Sequence, residues 1–528
     1  MQRLQSGTEA TPAARSAAGR RGRLMLRKPV AHIEAEIASH GLKKTLGPLN
    51  LTMLGVGSTI GAGIYVMTGS AAAHYAGPAV LLSFLLAGLA CAFTALSYGE
   101  LASVMPVSGS AYTYAYVAVG EVFAWITGWL LLLEYGISTA AVAAGFSGYA
   151  TSLLADFGIH VPALLHTPLI ETRQTVAGAT SLIWSGGLDL VAAFASLLVT
   201  GILVLGVTES ATVNSIIVVI KVSVLVVFVA FGIGAVHPSN WTPFVPANTG
   251  GFHFGVPGIF RAASVIFFAY VGFEAVSCAA AEARNPKRDV PIGILTSLGI
   301  CTVTYILVAA VLTGIVPYQK LGVPDPLAIA VDAMHEPWLA LLIKIGAVTG
   351  LCSVMLVLLY GQSRIFYTMS RDGLLPKVFH RLHPRFRTPW LGTILVGVGT
   401  ATAAATLPID IISDLVSLGT TIAFGIVSFT VIWQRNARPD LIAPFRVPLG
   451  GIRIRGFWIG ITPAFGILFC VIMAAPLLID LTSALFEGNP VPALLLLSYA
   501  VLGAITYVGY GMRHSTLARE VRGLPPID

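Results

Sequence analysis

The sequence predicts an all-α polytopic membrane protein, and its composition, its apolar segments and two glycine-containing interruptions support this fold class. The chain has 528 residues, of which 56% are hydrophobic and only 10% are charged. An average soluble domain has about a quarter charged residues. So few polar side chains cannot cover a globule of this size, and most of the surface must therefore face lipid or other helices.

Twelve apolar segments are long enough to cross a bilayer, which takes about 20 residues of α-helix. The first six predicted spans are Leu49–Ala73, Ala79–Met105, Val119–Leu154, Leu188–Val207, Val213–Val236 and Val256–Ala283. The second six are Pro291–Val316, Trp338–Tyr367, Leu391–Leu407, Ile411–Trp433, Phe457–Ile479 and Pro492–Tyr510. The pattern thus predicts 12 transmembrane helices, of which the ninth is short and rich in Ala, Thr and Gly.

The distribution of charge predicts the orientation of the chain. An even number of spans places both termini on one side, and with that side cytoplasmic, the cytoplasmic segments hold 25 of the 31 Lys and Arg residues. The opposite loops hold mainly acidic residues, namely Asp156, Glu171, Asp325, Asp332, Glu336, Asp410, Asp414, Asp480 and Glu487. The positive-inside rule therefore predicts a multi-pass protein of the cell (inner) membrane with both termini in the cytoplasm. The net charge of +7 belongs to loops beside the bilayer, so no nucleic-acid partner is expected.

The spans divide the chain into five predicted regions, which are 1–45, 46–237, 238–434, 435–513 and 514–528. In that order they are a basic cytoplasmic N-terminal arm, a first five-helix repeat, a second inverted five-helix repeat, helices 11 and 12 with the preceding cytoplasmic loop, and a cytoplasmic C-terminal tail. The arm has no apolar core of signal-peptide length. Within it, Lys28–His40 is suited to a short amphipathic helix on the membrane surface.

Two predicted spans contain interruptions that distinguish them from the others. In the first span, four glycines fall within Gly55–Gly63, and in the sixth a glycine interrupts Phe267–Glu274. Glycine favours unwinding, and free backbone groups at membrane depth persist only where they line a cavity. The two spans open successive groups of five, so the second group enters from the opposite face, which agrees with an inverted repeat. The alternative is that these glycines only permit close helix packing.

Together, the two interruptions suit a zwitterionic amino acid. Half-helix N-termini present free N–H groups to a carboxylate, and unwound carbonyl groups accept hydrogen bonds from an ammonium group. The glycines admit the carboxylate, two hydroxyl groups add contacts, carbonyl groups of the sixth span bind the amine, and an aromatic side chain is suited to form a gate. The candidates are Gly61 and Gly63 beside the carboxylate, Ser58 and Thr59 for the hydroxyl contacts, Phe268, Ala269 and Val271 for the carbonyl groups, and Tyr270 or Phe273 for the gate.

Three ionisable residues lie deep within predicted spans. Placing a charged group there costs about 3 kcal/mol or more of free energy, so such residues usually have a function. Lys221 lies about 12 Å from the cytoplasmic end of span five, where it either loads and releases a proton or pins span one to span five through backbone carbonyl groups. Glu274 follows the second interruption and either carries a proton, pairs with Lys221 or a substrate amine, or caps the second half-helix. Glu134 in span three either lines the same cavity or hydrogen-bonds a neighbouring helix.

The remaining signals do not indicate catalysis or metal binding. Arg261, Lys344 and Arg364 lie nearer the ends of their spans, where snorkelling toward water explains them. His380 and His383 have metal-like spacing in a basic loop but no third ligand. There is no P-loop, GxSxG or HExxH motif, and the five cysteines lie in apolar runs without CxxC spacing. The sequence therefore predicts no enzyme activity, no cofactor and no metal site.

A series of short motifs occurs along the chain: Gly57–Ile64, Glu100–Ala102, Ser108–Tyr112, Gly120–Glu121, Phe267–Glu274, Glu282–Pro286, Ser370–Pro376 and Thr388–Pro389. In type and order these motifs resemble the cationic amino acid transporter family of the amino acid–polyamine–organocation superfamily. The resemblance covers the chain from about Lys43 to its end, and it is specific because many motifs recur in order.

The resemblance implies a five-plus-five inverted-repeat fold that works by alternating access. It implies two sets of substrate contacts, Ile60, Ala62 and Gly63 for the carboxylate and Phe268, Ala269 and Val271 for the amine. Sodium-coupled relatives place an ion between helices one, five and eight. Lys221 resembles the lysine that occupies this place in proton-coupled bacterial members, which argues against sodium dependence.

The combined prediction is a secondary active transporter that couples uptake of L-amino acids to protons. Small neutral substrates are favoured over cationic ones, because no further acidic residue is clearly committed to a cationic side chain. The segment Leu351–Met355 of span eight helps to set the size of the pocket, with Met355 as a candidate contact. An amino-acid exchanger and a sensor without transport are the alternatives. The expected partners are the substrate, H⁺ and the lipid bilayer, with the protein functional as a monomer.

Overall fold

The computed structural model describes residues 26–29, 45–107, 109–174, 180–206, 211–439, 441–486 and 491–523. Most of the described chain is helical. The predicted basic arm lies almost wholly outside the described residues, as do residues 30–40 of the predicted amphipathic helix and the last five residues of the tail. The arm, the amphipathic helix and the cytoplasmic tail therefore stay predictions.

The first half of the chain begins with a short helix that is followed by an interruption. Its helices are α1 (Pro48–Thr59), α2 (Thr68–Ala71), α3 (Val80–Val104), α4 (Ser110–Ala118), α5 (Glu121–Leu131), α6 (Ser138–Asp156), α7 (Leu190–Val204) and α8 (Ala211–Gly232). The π-helical turns Gly63–Met67 and Ala72–Ala76 flank α2, and Leu132–Ile137 joins α5 to α6. A hairpin of two antiparallel strands, β1 (Ile170–Gln174) and β2 (Thr180–Trp184), precedes α7.

The second half repeats this beginning with another short helix and another interruption. Its helices are α9 (Gly255–Ile266), α10 (Ala275–Cys278), α11 (Pro286–Ile315), α12 (Pro326–Ala333), α13 (Pro337–Arg371), α14 (Trp390–Thr406), α15 (Ile409–Ala437), α16 (Ile461–Phe486), α17 (Val491–Thr506), α18 (Met512–His514) and α19 (Thr516–Val521). A 3₁₀ turn, Phe267–Tyr270, lies between α9 and α10. The strands β3 (Gly451–Ile454) and β4 (Phe457–Gly460) form a second antiparallel hairpin before α16.

Within the described residues, nine helical stretches are long and apolar enough to cross a membrane. Two shorter apolar helices, α7 and α14, coincide with predicted spans four and nine. Every predicted span overlaps a helix. The stretch Gly63–Val104 contains part of predicted span one together with span two, and its backbone departs from helical values at Gly77, whose φ is 59°. The structure thus shows a polytopic helical protein, whereas the number of crossings stays a prediction.

The predicted start of span eleven at Phe457 is wrong by four residues. Residues 457–460 form β4, which pairs with β3 in a register that places Ile454 opposite Phe457. Arg455 and Gly456 form the two-residue turn between them with φ of 52° and 85°. Positive φ at both central residues is the geometry that closes a tight hairpin. The apolar residues Phe457–Ile459 therefore belong to a strand, and the helix begins only at Ile461.

A further element, α4, had no counterpart in the predicted spans. All nine of its residues are buried, and it lies between α3 and α5. Its first residue, Ser110, places its hydroxyl oxygen 2.7 Å from that of Ser277 in α10. At its other side, the Tyr112 hydroxyl donates to Asp372 at 2.8 Å. A segment that looks like a short loop by hydropathy is therefore a packed helix beside the second interruption.

Small residues allow the long helices to pack closely around the two interruptions. The helix α11 packs against both α1 and α3, and α7 packs against α14. A Cβ at Gly397 in α14 would lie 2.1 Å from the hydroxyl oxygen of Thr200 in α7. Close approach at small residues is the usual means of helix association in lipid. The result is a scaffold that holds the two interrupted segments at the centre of the described chain.

Candidate functional site

The first interruption separates α1 from the helical turn that follows it. The helix α1 ends at Thr59, and Ile60 has an extended backbone with ψ of 94°. Regular structure resumes with the π-helical turn at Gly63. The N–H groups of Gly61 and Ala62 donate to no partner among the described residues. These two buried donors are therefore free to bind a carboxylate.

The four glycines of the first span serve two different purposes. A Cβ at Gly55 would lie 2.5 Å from the Ser297 hydroxyl oxygen, and a Cβ at Gly57 would lie 2.6 Å from Val218. These glycines permit close packing of α1 against α11 and α8, so the packing alternative holds for them. Gly63 differs, because a Cβ there would lie 2.2 Å from the Cα of Ala269. That glycine lets the backbones of the two interruptions meet.

The second interruption has a more abrupt backbone reversal than the first. The 3₁₀ turn ends at Tyr270, Val271 is extended with ψ of 128°, and Gly272 has φ of 122°. Only glycine adopts such a φ without strain, and a Cβ at this position would also lie 2.6 Å from the carbonyl carbon of Ser58. Gly272 is therefore required both by its conformation and by its contact with α1.

Hydrogen bonds tie the two interruptions to each other. The Ser58 hydroxyl lies 2.8 Å from the carbonyl oxygen of Gly272. The Tyr305 hydroxyl, from α11, lies 2.7 Å from the Thr59 carbonyl oxygen and 3.0 Å from that of Ala269. Tyr305 was not predicted from the sequence, in which it is only a single tyrosine within an apolar span. Its hydroxyl group thus links the last carbonyl group of α1, at Thr59, to a carbonyl group of the 3₁₀ turn, at Ala269.

Lys221 lies beside the first interruption and is 1% exposed. Its ammonium group donates to the carbonyl oxygen of Gly57 at 2.9 Å, in the last turn of α1. A Cβ at Gly350 would lie 3.1 Å from its Cε, so its stem passes along α13. The contact that the pinning alternative requires is therefore present. The same contact places the ammonium group between α1, α8 and α13, which correspond to predicted spans one, five and eight.

Glu274 closes the second interruption and is fully buried. Its two carboxyl oxygens lie 3.0 and 2.9 Å from the backbone nitrogen of Gly272, which donates to them. The contact expected of a cap on the second half-helix is absent, because no N–H group of α10 donates to the Glu274 side chain, which instead fixes the backbone at Gly272. Glu134, in the π-helical turn of predicted span three, is also fully buried, and its oxygens have no hydrogen-bond partner among the described residues. It nevertheless lies within electrostatic reach of Glu274, so the two carboxyl groups share one buried region.

Several other candidate side chains point into helix contacts. The Tyr270 hydroxyl donates to the carbonyl oxygen of Phe84 in α3 at 2.9 Å. The Phe273 ring packs edge-on against Tyr98 and tilted against Phe424. The Thr59 hydroxyl donates to the Gly55 carbonyl oxygen at 2.7 Å. These contacts anchor the interruptions to α3 and α15, and the expected gating role of the two aromatic rings stays a prediction.

The segment of α13 expected to set pocket size does border the first interruption. Val354 lies 3.0 Å from the position that a Cβ would take at Gly61. Met355 and Leu351 are fully buried in the same helix. Phe268 is 4% exposed and Val271 is 5% exposed on the opposite interruption. The structure thus brings the two interruptions and this face of α13 into one buried region.

The expectation that Arg261 and Lys344 snorkel is wrong, because both side chains are buried in ion pairs. Arg261 is 3% exposed and contacts Asp414 at 2.8 Å and also Asp480. Lys344 is 1% exposed, and its nitrogen lies 2.8 Å from Asp156 and 3.2 Å from Asp332. All four carboxylates lie outside the span that carries their partner, and three of them are more than 150 residues away, so position within a span could not reveal them. Arg364 is exposed, as expected.

A cavity of about 730 Å³ opens on the side of the acidic loops and reaches Val66, three residues beyond the first interruption. Its lining includes His74, His160, Asp325 and Asp410. Burial raises the pKa of the Asp325 carboxyl above its ordinary value. The cavity thus approaches the first interruption from the side of the acidic loops.

Comparison with known proteins places this geometry in a family. A family model described as amino acid permease matches residues 46–504. The methylthioribose transporter of Bacillus subtilis is 44% identical over 425 residues, which are 80% of this chain and 88% of that protein. The branched-chain amino acid permease of the same organism is 39% identical over 486 residues, 92% of this chain and 97% of that protein. The vacuolar cationic amino acid transporter 4 of Arabidopsis thaliana is 38% identical over 419 residues, 79% and 68% of the two chains.

The matched range contains both interruptions and the helices that pack around them. It also contains the three buried residues considered for proton coupling, Glu134, Lys221 and Glu274. Each of the three relatives is named as a transporter or permease and aligns over more than two thirds of its own length. The sequence-based assignment to a family of this superfamily is thereby confirmed. The chain belongs to the amino acid permease family of the amino acid–polyamine–organocation superfamily, and it is a multi-pass membrane transporter.

Proposed function

We propose that this protein takes up L-amino acids together with protons by alternating access. In this proposal it has twelve spans, arranged as a five-plus-five inverted repeat followed by two helices, with both termini in the cytoplasm of a cell whose inner membrane it spans. The observation that carries the proposal is the meeting of two interrupted helices at Gly63 and Ala269, with unpaired N–H groups on one side and unwound carbonyl groups on the other.

The free N–H groups of Gly61 and Ala62 bind the substrate carboxylate, with Ile60 and Gly63 shaping the loop around it. The carbonyl groups of Phe268, Ala269 and Val271 bind the ammonium group. An ammonium ion offers three donors to such acceptors, and each charge-assisted hydrogen bond contributes about 1.5–3 kcal/mol. Tyr305 now occupies the Ala269 carbonyl oxygen, so it exchanges this contact for the substrate ammonium when substrate binds.

The side chain of the substrate faces α13, where Met355 is fully buried. None of the residues assigned to the substrate offers a carboxylate that could pair with a cationic side chain. This favours a substrate with a small neutral side chain. The branched-chain amino acid permease that aligns with 92% of this chain supports the same choice. Other relatives are named as cationic amino acid transporters, so cationic amino acids are the next most favoured substrates.

Coupling to protons uses the two buried regions that flank the interruptions. A protonated Lys221 holds the Gly57 carbonyl oxygen and with it the end of α1. Loss of its proton weakens this bond and frees the first interruption to move. Glu134 and Glu274 form the second element, because two neighbouring carboxylates are costly to hold without water and a proton is expected to reside on the pair.

A second candidate substrate is methylthioribose, which the name of one relative at 44% identity suggests. This sugar has neither an ammonium nor a carboxylate group, so it would bind the same backbone groups through hydroxyl groups. The two candidates therefore differ in the charges that the interruptions must bind.

Uptake by purified protein in proteoliposomes tests the proposal. We expect an inward proton gradient to drive accumulation of L-leucine, with no requirement for sodium. Sodium-driven accumulation that is indifferent to pH would overturn the coupling, and rapid counterflow with no net uptake would indicate an exchanger. Binding without any flux would indicate a sensor. Accumulation of methylthioribose but of no amino acid would establish the second candidate.

A further inference from the structure

A second cavity, of about 230 Å³, lies where α7, α13 and α14 meet. Its lining contains no residue of either interruption and none of the residues assigned to the substrate or the proton. Two arginines, Arg364 and Arg387, line it together with the tyrosines Tyr360 and Tyr367. The cavity therefore combines positive charge with aromatic hydroxyl groups at the end of a predicted span.

The two guanidinium groups in this cavity have no carboxylate partner within 4.0 Å among the described residues. The guanidinium carbon of Arg364 lies 5.0 Å from the centre of the Tyr360 ring, which orients the side chain without neutralising it. Both arginines are exposed. They differ in this from Arg261 and Lys344, whose charges are matched by two aspartates each. Two adjacent unmatched cations attract an anion.

The loop that carries Arg387 is held in a fixed shape against α7. Arg387 has φ of 58°, a conformation that arginine rarely adopts. Its N–H donates to the His383 carbonyl oxygen at 3.0 Å, and the His383 N–H donates back to the Thr388 carbonyl oxygen at 2.8 Å. The Thr388 hydroxyl donates to the carbonyl oxygen of Val204, at the end of α7, at 2.8 Å. The loop is therefore built around the cavity.

The helices beside the cavity face lipid. In α7, Leu198 is 46% exposed, and in α14, Leu395 is 51% exposed. Arg364 lies three residues before the predicted end of span eight, which places it at the level where hydrocarbon gives way to headgroups. A ligand with a phosphate and two acyl chains meets both requirements, with its phosphate in the cavity and its chains along the helices.

We propose that this cavity binds the phosphate of an anionic phospholipid, with Arg364 and Arg387 as its ligands. The planar guanidinium group matches the geometry of a phosphate, to which it donates paired hydrogen bonds. Tyr360 and Tyr367 line the same cavity beside the two arginines. Basic pockets between transmembrane helices on the cytoplasmic side bind such headgroups in general. The site is independent of the proposed transport substrate.

Native mass spectrometry of the full chain, titrated with phosphatidylglycerol or phosphatidylcholine in detergent, tests this site. We expect the double variant Arg364→Gln/Arg387→Gln to bind phosphatidylglycerol about 30-fold more weakly than the unaltered protein, since each of the two cations contributes about fivefold toward an anionic lipid. The control is Arg453→Gln/Arg455→Gln, which removes the same charge from the exposed β3–β4 hairpin outside the cavity. We expect the control to retain the affinity of the unaltered protein.

Three outcomes would overturn the proposal. Equal binding by all three proteins would show that the cavity is not the site. Equal weakening in the control would show that net charge alone attracts the lipid. Full competition by inorganic phosphate at concentrations comparable to those of the lipid would assign the cavity to a soluble phosphate ligand. Circular dichroism of the double variant, with an unchanged helical spectrum, excludes misfolding as the cause of a loss.

Discussion

The two interruptions are stabilised by buried groups of opposite charge. At the first, the Lys221 ammonium group donates to a carbonyl oxygen at the end of α1. At the second, the Glu274 carboxyl group accepts from the N–H of Gly272. The end of a helix exposes carbonyl groups with partial negative charge, which a cation stabilises, whereas a free N–H group is satisfied by an anion. Each buried charge thus stabilises the one backbone group that it contacts, the Gly57 carbonyl group at the first interruption and the Gly272 N–H group at the second.

This difference implies that the movement of a proton affects the two interruptions in opposite ways. A proton leaving Lys221 weakens the contact at the first interruption, while a proton arriving at Glu274 weakens the contact at the second. In the proposed mechanism, one interruption loosens while the other stays fixed, as alternating access requires of two halves that move relative to each other. Substitutions at the two interruptions should accordingly have distinct effects.

The largest effect is expected where the two interruptions touch. In Gly63→Ala, the new Cβ would overlap the backbone of Ala269, and overpacking of this kind costs about 1–3 kcal/mol or more. We expect uptake to fall to background and the melting temperature to drop. The matched control is Gly299→Ala in α11, where a Cβ meets nothing within 4 Å. Normal uptake by the Gly63→Ala protein would show that the interruptions do not need to meet.

The next largest effect is expected at the first interruption, in Lys221→Met. The variant keeps the length of the stem but removes the ammonium group, so we expect gradient-driven accumulation to be lost while counterflow persists. Accumulation ratios in proteoliposomes measure this directly. Lys344→Met removes another lysine of equal burial whose partners are aspartates outside the site, and we expect it to lower stability but to keep coupling. Concentrative uptake by Lys221→Met would refute the assigned role.

A smaller and different effect is expected at the second interruption, in Glu274→Gln. Glutamine retains an oxygen for the Gly272 N–H but cannot titrate, so we expect the fold to persist while the dependence of uptake on pH is reduced. Glu274→Ala removes the acceptor as well, and leaving a buried N–H unsatisfied costs about 1–3 kcal/mol of stability. If Glu274→Gln retains the full pH dependence, and Glu134→Gln does also, the pair has no part in coupling.

The smallest effect is expected where the two interruptions are joined from the side. Tyr305→Phe removes the hydroxyl that contacts the Thr59 and Ala269 carbonyl oxygens but keeps the ring. Loss of a typical hydrogen bond is worth about 1 kcal/mol. Because the substrate ammonium no longer has to displace Tyr305 from the Ala269 carbonyl oxygen, we expect the dissociation constant of substrate to fall about fivefold. Isothermal titration calorimetry measures it. An unchanged constant would show that Tyr305 does not compete with the substrate ammonium.

Hydropathy was sufficient to predict the helices, because lipid requires a long apolar stretch for every crossing. It failed at Phe457–Ile459, where an apolar run forms a strand, and at α4, a buried helix whose nine residues are too few to resemble a span. The glycine-rich segment was recognised as an interruption. Its sequence alone could not separate Gly55, which packs against α11, from Gly63, which meets the second interruption.

The partners of the buried charges depended on contacts between distant segments. The fold brings Lys221 to the end of α1 and Glu134 toward Glu274, and it places Asp414 and Asp480 beside Arg261. Pairs of this kind lie up to hundreds of residues apart, so no local pattern contains them. The sequence could identify which ionisable residues lie deep within a span and therefore require a partner or a function. Only the fold shows which groups they contact.

In the proposed mechanism, the unpaired backbone groups of two interrupted helices bind both charges of an amino acid. Calorimetric titration with L-leucine, 4-methylpentanoate, which lacks the amine, and 3-methylbutylamine, which lacks the carboxylate, tests it most directly. We expect leucine to bind and each analogue to bind about 100-fold more weakly or not at all, since each lost charge removes more than one charge-assisted hydrogen bond. Binding of either analogue as tight as that of leucine would contradict the account.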